Sequence, residues 1–204
     1  MKTARTISER IHTWERGRVF FLSDFADLGN QAAVRKQLSR LCAEGQILRY
    51  GRGIYYYPVL DRKWGLGIIP ATNEAIAGAY SKKMGIALYH SKAAAQNLLG
   101  LSTQNQMNAV YLTDGRARVI DTGIGNGITL LHTEDTRLSL FKDTTMRLIA
   151  IALHGEKMDT FNRDSLEVLS ARLSSVPEDL FIHDVKLMSQ KTRSIVLSCR
   201  KALI

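Results

Sequence analysis

Five cationic side chains, Arg35, Lys36, Arg40, Arg49 and Arg52, stand among small and polar residues in the run QAAVRKQLSRLCAEGQILRYGRG, which begins at Gln31. The chemistry open to such a set is recognition. Guanidinium and ammonium groups hold phosphate, and the forked guanidinium also matches guanine edges in the major groove of DNA. The spacing predicts a helix from about Gln31 to Glu44, ended by Gly45, with Val34, Leu38 and Leu41 as its inner stripe. At about 100° per residue the opposite face carries Ala32, Lys36, Ser39, Arg40 and Ala43, with Arg35 at its edge. Long cations between alanines let a helix sit close in a groove. A merely solvated face has the same pattern, but the basic stretch that follows favours DNA. Gln46–Tyr50 and Ile54–Tyr57 are β-prone runs across Gly51-Arg52-Gly53, a hairpin signal. Arg49 and Arg52 are placed to meet phosphate. Alternate tyrosines of the hairpin are expected to pack inward, leaving the others to donate to a DNA backbone.

The elements before this run complete a positioning frame. Thr6 and Glu9 fit a capping box, with Ile7, Ile11 and Trp14 as one apolar stripe and Gly17 as the stop. Val19-Phe20-Phe21 reads as a short strand, with Arg18 beside it as a further phosphate contact. Ser23 is expected to cap a short helix burying Phe25 and Leu28, and Gly29-Asn30 to make the turn, with Asn30 capping the next helix. Helix, short helix, turn, helix and basic hairpin is the order of a winged helix-turn-helix.

The chain has 204 residues and a formal net charge of +9. Residues 1–69 hold 12 Lys and Arg against 6 Asp and Glu, whereas residues 70–204 hold 16 against 13. The excess positive charge is thus concentrated in the part with the hairpin, which favours a polyanionic partner. The two cysteines, Cys42 and Cys199, are expected to be reduced, Cys42 as a small buried hydrophobe on the inner edge of its helix. The first residues contain no secretory apolar core, and no run approaches the roughly 20 apolar residues of a membrane helix, so a cytoplasmic protein without membrane contact is expected. Residues 58–72 read as a connector without period. After it, helices ending at Gly85 and Gly100 precede strand-like runs at Met107–Thr113, Ala117–Asp121 and Ile128–Thr133, with Asp114-Gly115 as a tight turn between the first two. Helical patterns follow at 145–153, 163–173, 177–188 and 192–203. The expected class is α+β: a winged helix over 1–69, then an α+β domain over 70–204 made of a small antiparallel sheet and a helical bundle.

Other chemistries fit less well. Gly123, Gly125 and Gly127 lack the Lys-Ser/Thr of a phosphate-binding loop and precede a strand, so a hairpin turn is the better account. The five histidines and two cysteines have no metal-ligand spacing, and neither a metal nor another cofactor is expected. Asp121, Glu134, Asp135 and Lys142 outline the alternative, a metal-dependent nuclease with a winged-helix delivery domain. Such enzymes usually place the lysine two residues after the acid, whereas position 136 is Thr and Lys142 lies beyond a change to helix. Surface acids are therefore preferred, and no enzyme activity is expected.

The blocks LGLSTQ at Leu99–Gln104 and VYLTDG at Val110–Gly115 resemble a signature of the AbiEi-like antitoxins of type IV (abortive infection) toxin-antitoxin systems. Val34…Leu38-Ser39-Arg40-Leu41…Gly45-Gln46-Ile47…Arg49…Gly53-Ile54-Tyr55 is similar to the winged helix of that family. The resemblance covers roughly residues 5–135. It implies a transcriptional autoregulator that binds repeats in its own promoter as double-stranded DNA, and an antitoxin without catalysis of its own that neutralises a nucleotidyltransferase-like toxin. One departure is the Tyr89-His90 pair before Ser91, where the family pattern has proline. On this basis Gln31, Arg35, Lys36, Ser39 and Arg40 are assigned to the major groove, and Arg49, Arg52 and Arg18 to the flanking backbone.

Overall fold

A computed structural model of the chain describes residues 2–61, 63–104, 108–123 and 127–201. Its elements are mixed helices and small antiparallel sheets, in two compact units. The first unit comprises residues 1–86 and 119–129, the second 87–118 and 130–204. The expected break after residue 69 falls inside the first unit.

In the first unit, α1 (Lys2–His12) leads to β1 (Arg18–Phe21), a 3₁₀ helix at Leu22–Leu28, α2 (Gln31–Ala43), and the strands β2 (Leu48–Arg49) and β3 (Ile54–Tyr57). The sheet runs β1-β3-β2, all antiparallel, with Phe20 opposite Tyr55 and Arg49 opposite the same tyrosine. Ile7, Ile11, Phe20, Phe25, Val34, Leu38 and Ile47 are the buried centre. Trp14 and Phe25 flank Phe20, with ring centroids 5.0 and 5.9 Å from it. Asn30 caps α2 by accepting from Ala32 N at 2.8 Å. Asn30→Ala should therefore cost about 1 kcal/mol of stability by chemical denaturation, because an amide at the helix start loses its acceptor.

Two caps differ from expectation. Helix α1 starts at Lys2, so Thr6 and Glu9 lie within it instead of forming a capping box at its start. Ala4 and Arg5 are good helix formers that extend the turn upstream. Ser23 does not cap the 3₁₀ helix. Its start is held by Asp24, whose carboxylate accepts from Phe21 N at 2.9 Å.

The expected connector is a two-stranded sheet, β4 (Val59–Asp61) with β5 (Gly67–Ile69). Asp61 organises its turn by accepting from the amides of Lys63, Trp64 and Leu66. Trp64 is 75% exposed at the tip and Leu66 70%. Helix α3 (Asn73–Met84), capped by Thr72 and closed by Gly85 in the left-handed conformation, completes this part of the chain.

The second unit contains β6 (Leu88–His90), α4 (Lys92–Leu99, capped by Ser91) and β7 (Ala109–Thr113). Strands β8 (Arg118–Ile120) and β9 (Ile128–His132) follow in the chain, residues 119–129 counting to the first unit, and the sheet order is β6-β7-β9-β8. Strand β6 is three residues long, without a period of its own, and is held by its pairing with β7. Asp114-Gly115 does not join neighbouring strands, because β9 lies between β7 and β8. The Asp114 carboxylate instead accepts from Ala87 N at 2.8 Å, tying the end of β7 to the start of β6. The loop between β8 and β9 includes Gly125, which lies outside the described residues. Helices α5 (Thr144–Ala152), α6 (Arg163–Ser174), α7 (Glu178–Val185) and α8 (Gln190–Lys201) bury Met146, Ile149, Leu153, Leu173 and Val196. Among the described residues, no helix is long and apolar enough to cross a membrane.

Candidate functional site

Helix α2 buries Val34, Leu38 and Leu41, which leaves Gln31, Arg35, Lys36, Ser39 and Arg40 exposed. The strand pair β2–β3 follows directly and returns its turn, Tyr50 to Gly53, beside that helix. Together they enclose a concavity of about 540 Å3 lined by Arg35, Lys36 and Ser39 of α2 and by Arg49 and Arg52 of the hairpin. These five positions, read from the sequence as a nucleic-acid surface, therefore meet in one place. Tyr55, Cys42, Leu22 and Gly53 complete its wall.

The charge in this concavity is largely uncommitted. The Arg49 guanidinium donates to Gly51 O at 3.1 Å, an interaction that leaves its charge unneutralised. Arg35, Lys36 and Arg52 lie in no ion pair among the described residues. Such a set attracts an anion from solvent, and each contact made with a phosphate releases a condensed counterion.

Three of the sequence-assigned residues stand outside the concavity. Gln31 is exposed at the start of α2 and does not line it. Arg40 is 71% exposed and pairs with Glu44 one turn later at 2.8 Å. An exposed pair of this kind is worth about 0.3–0.5 kcal/mol, so phosphate can displace it. Arg18 does not join the others at all. Its guanidinium lies over the Trp14 ring at 4.3 Å and lines a different concavity, of about 580 Å3, with Asp24, Lys82 and Lys83. Stacking on an aromatic face was invisible in a reading that treated β1 only as a strand.

The hairpin tyrosines also differ from expectation. All of Ile54, Tyr55, Tyr56 and Tyr57 are buried. Tyr55 and Tyr57 join the helices. On the other side of the strand, Tyr56 meets Tyr50 with ring centroids 6.0 Å apart. The Tyr50 hydroxyl accepts from Ala71 N at 2.9 Å. No alternate set remains to donate to a DNA backbone, so the exposed polar chemistry of the hairpin is that of Arg49 and Arg52.

Burial pushes the Tyr55 hydroxyl above its ordinary range, although Arg49 and Arg35 oppose this. Burial likewise raises the Cys42 thiol, against Arg49. Cys42 is part of the wall of the concavity. The sequence missed Tyr55 and Cys42 as wall residues. Their signal was their place opposite Arg49 in the register and one turn after Leu38.

The tip itself is tightly held. Gly51 has φ +74°, and a Cβ there would collide with the main-chain carbonyl of Asp121. Only glycine fits, for reasons of both dihedral and space. Asp121 accepts from Gly123 N at 2.8 Å, and Asp135 is occupied by Arg137 at 2.7 Å. Among the described residues, no three His, Cys, Asp or Glu side chains gather as a metal-binding group.

Comparison with known proteins adds one match. The model of a family of unknown function, DUF6088, matches residues 6–169. None of the curated proteins matches the chain.

Proposed function

The chain belongs to the DUF6088 family, and since no function comes with that membership, we propose from the residues that it is a DNA-binding transcriptional regulator. Helix α1, the 3₁₀ helix, α2 and the β2–β3 hairpin act as a winged helix-turn-helix. Lys36, Ser39, Arg35, Gln31 and Arg40 enter the major groove, and Arg49 and Arg52 hold the phosphates beside it. The resemblance to AbiEi-like antitoxins extends this to autoregulation at promoter repeats and to neutralisation of a nucleotidyltransferase-like toxin by the second unit, without catalysis. One observation carries the DNA part: the concavity where α2 and the hairpin gather cations, three of which, Arg35, Lys36 and Arg52, lie outside every ion pair among the described residues. Arg18, stacked on Trp14, has no part in that contact.

The test is the salt dependence of binding to promoter DNA. Each phosphate contact contributes about 0.9 to the slope of log affinity against log salt. Arg52→Ala should lower the slope by about one unit and leave sequence preference unchanged. An unchanged slope removes Arg52 from the interface. A nucleotidyltransferase-like reading frame next to the gene, and rescue from its toxicity by this chain, tests the antitoxin part.

A further inference from the structure

A second cavity, of about 300 Å3, lies wholly within the second unit, between the sheet, α5 and the turn from α7 to α8. Its floor is apolar: Leu138, Phe141, Ile151 and Met188 line it and are at most 7% exposed. Its exposed lining is formed by Lys92, Arg137, His132 and His154. A volume of this size is at the lower end of small-ligand sites, which pair an apolar body with a few placed polar groups.

The hydrogen bonds around the mouth decide which polar group fits. Asp135 is the sole carboxylate in the lining, and both its oxygens are taken by Arg137, through Nε at 2.7 Å and Nη2 at 2.8 Å. Arg137 Nη1 has no partner among the described residues. Lys92 spends two of its three protons, on His154 O and on Glu156, and keeps one. His132 Nδ1 lies 2.8 Å from Gly115 O. A carbonyl only accepts, so Nδ1 carries the proton and Nε2 is left open. The Ser189 and Thr192 hydroxyls lie 2.9 Å apart, one donating to the other. Both carboxylates are thus taken, Asp135 by Arg137 and Glu156 by Lys92, and above the apolar floor there remain Arg137 Nη1, one Lys92 proton and the accepting Nε2 of His132.

We propose that this cavity binds a small amphipathic anion, a carboxylate or sulfonate carried on an apolar body of aromatic size. The anionic end meets Arg137 Nη1 and Lys92, and the apolar end covers Phe141 and Met188. This site stands apart from the DNA contact and does not depend on it.

Two fluorescent probes test the proposal on the full chain: 8-anilinonaphthalene-1-sulfonate and its uncharged relative N-phenyl-1-naphthylamine. Wild type should bind the sulfonate at a single saturable site with blue-shifted emission. Ala150→Trp, which fills the cavity from α5, should abolish binding. Trp64→Ser, on the exposed β4–β5 hairpin, should leave it unchanged. Arg137→Gln spares the floor, so it keeps the test decisive if Ala150→Trp does not fold. It should weaken the sulfonate about tenfold, the loss expected for one charged hydrogen bond, and leave the uncharged probe unaffected. No saturable binding by wild type overturns the proposal. So does retention by a folded Ala150→Trp, loss in Trp64→Ser, or an Arg137→Gln variant that binds both probes as wild type does.

Discussion

The double variant Arg35→Ala/Lys36→Ala should bind promoter DNA about a hundredfold more weakly than wild type. The two side chains share one wall of the concavity and sit on the exposed side of α2. A cation that reads a base or holds a phosphate is worth about 1–3 kcal/mol, and two losses of about 1.4 kcal/mol each make a hundredfold. Net charge alone would also weaken binding, so the comparison needs a control. Lys186→Ala/Lys191→Ala removes the same charge from exposed positions of the second unit. It should change affinity by less than about threefold, because neither lysine belongs to the proposed reading helix or its hairpin. Fluorescence anisotropy at fixed ionic strength reads both. Equal losses in the two variants would mean that overall charge, and not α2, attracts the DNA.

Asp184→Ala should be the most destabilising polar substitution in the second unit, by about 3–5 kcal/mol, as is usual when one partner of a buried charged cluster is removed. The Asp184 side chain is fully buried. It accepts from Lys142 N at 3.0 Å and Asp143 N at 2.8 Å, and its carboxylate lies 2.7 Å from His183 Nδ1. Asp143 in turn caps α5 by accepting from Met146 N at 2.8 Å. One buried carboxylate on α7 thus fixes the entry to α5, where its charge also suits the helix dipole. Alanine leaves two buried amides without acceptors. Asp184→Asn keeps one acceptor oxygen and should cost less, and urea unfolding compares the two.

The same residue sets an acid limit. Burial pushes Asp184 upward, but the His183 ring and the two amides more than reverse this, leaving it below the ordinary carboxylate range. The group therefore binds its proton more readily in the unfolded chain. Its stabilisation is fully present above the unfolded value, near 4, and is lost as pH falls through the lower folded value. Wild type should lose stability steeply in that acid window, and Asp184→Asn should lose less there.

Local signals in the chain were legible where one residue acts on its own neighbours. Asn30 caps α2 as its sequence position requires, and Tyr89-His90 in place of proline does not disturb the cap that Ser91 makes on α4. The stripe Val34, Leu38, Leu41 is the buried face of α2, and it set which cations remained outside. What escaped detection depends on partners distant in sequence. The three residues of β6 have no period of their own and exist because β7 pairs with them. The turn dipeptide Asp114-Gly115 looked like a hairpin, but its side chain bonds to Ala87 across the sheet. The charge of Arg18 is plain in the sequence, but the Trp14 ring beneath its guanidinium comes from the fold. Within the candidate site, residue types gave the cations, while Tyr55 and Cys42 became visible only through the strand register and the concavity.

The chain has two tryptophans, Trp14 half-buried and Trp64 exposed. Trp14 packs against Phe20 and Phe25 in the first unit, whereas Trp64 stands in solvent on the β4–β5 turn. Iodide should therefore quench the Trp64 emission selectively and leave a blue component from Trp14. That component is a built-in optical gauge of whether the proposed DNA-binding unit remains assembled, and it needs no label.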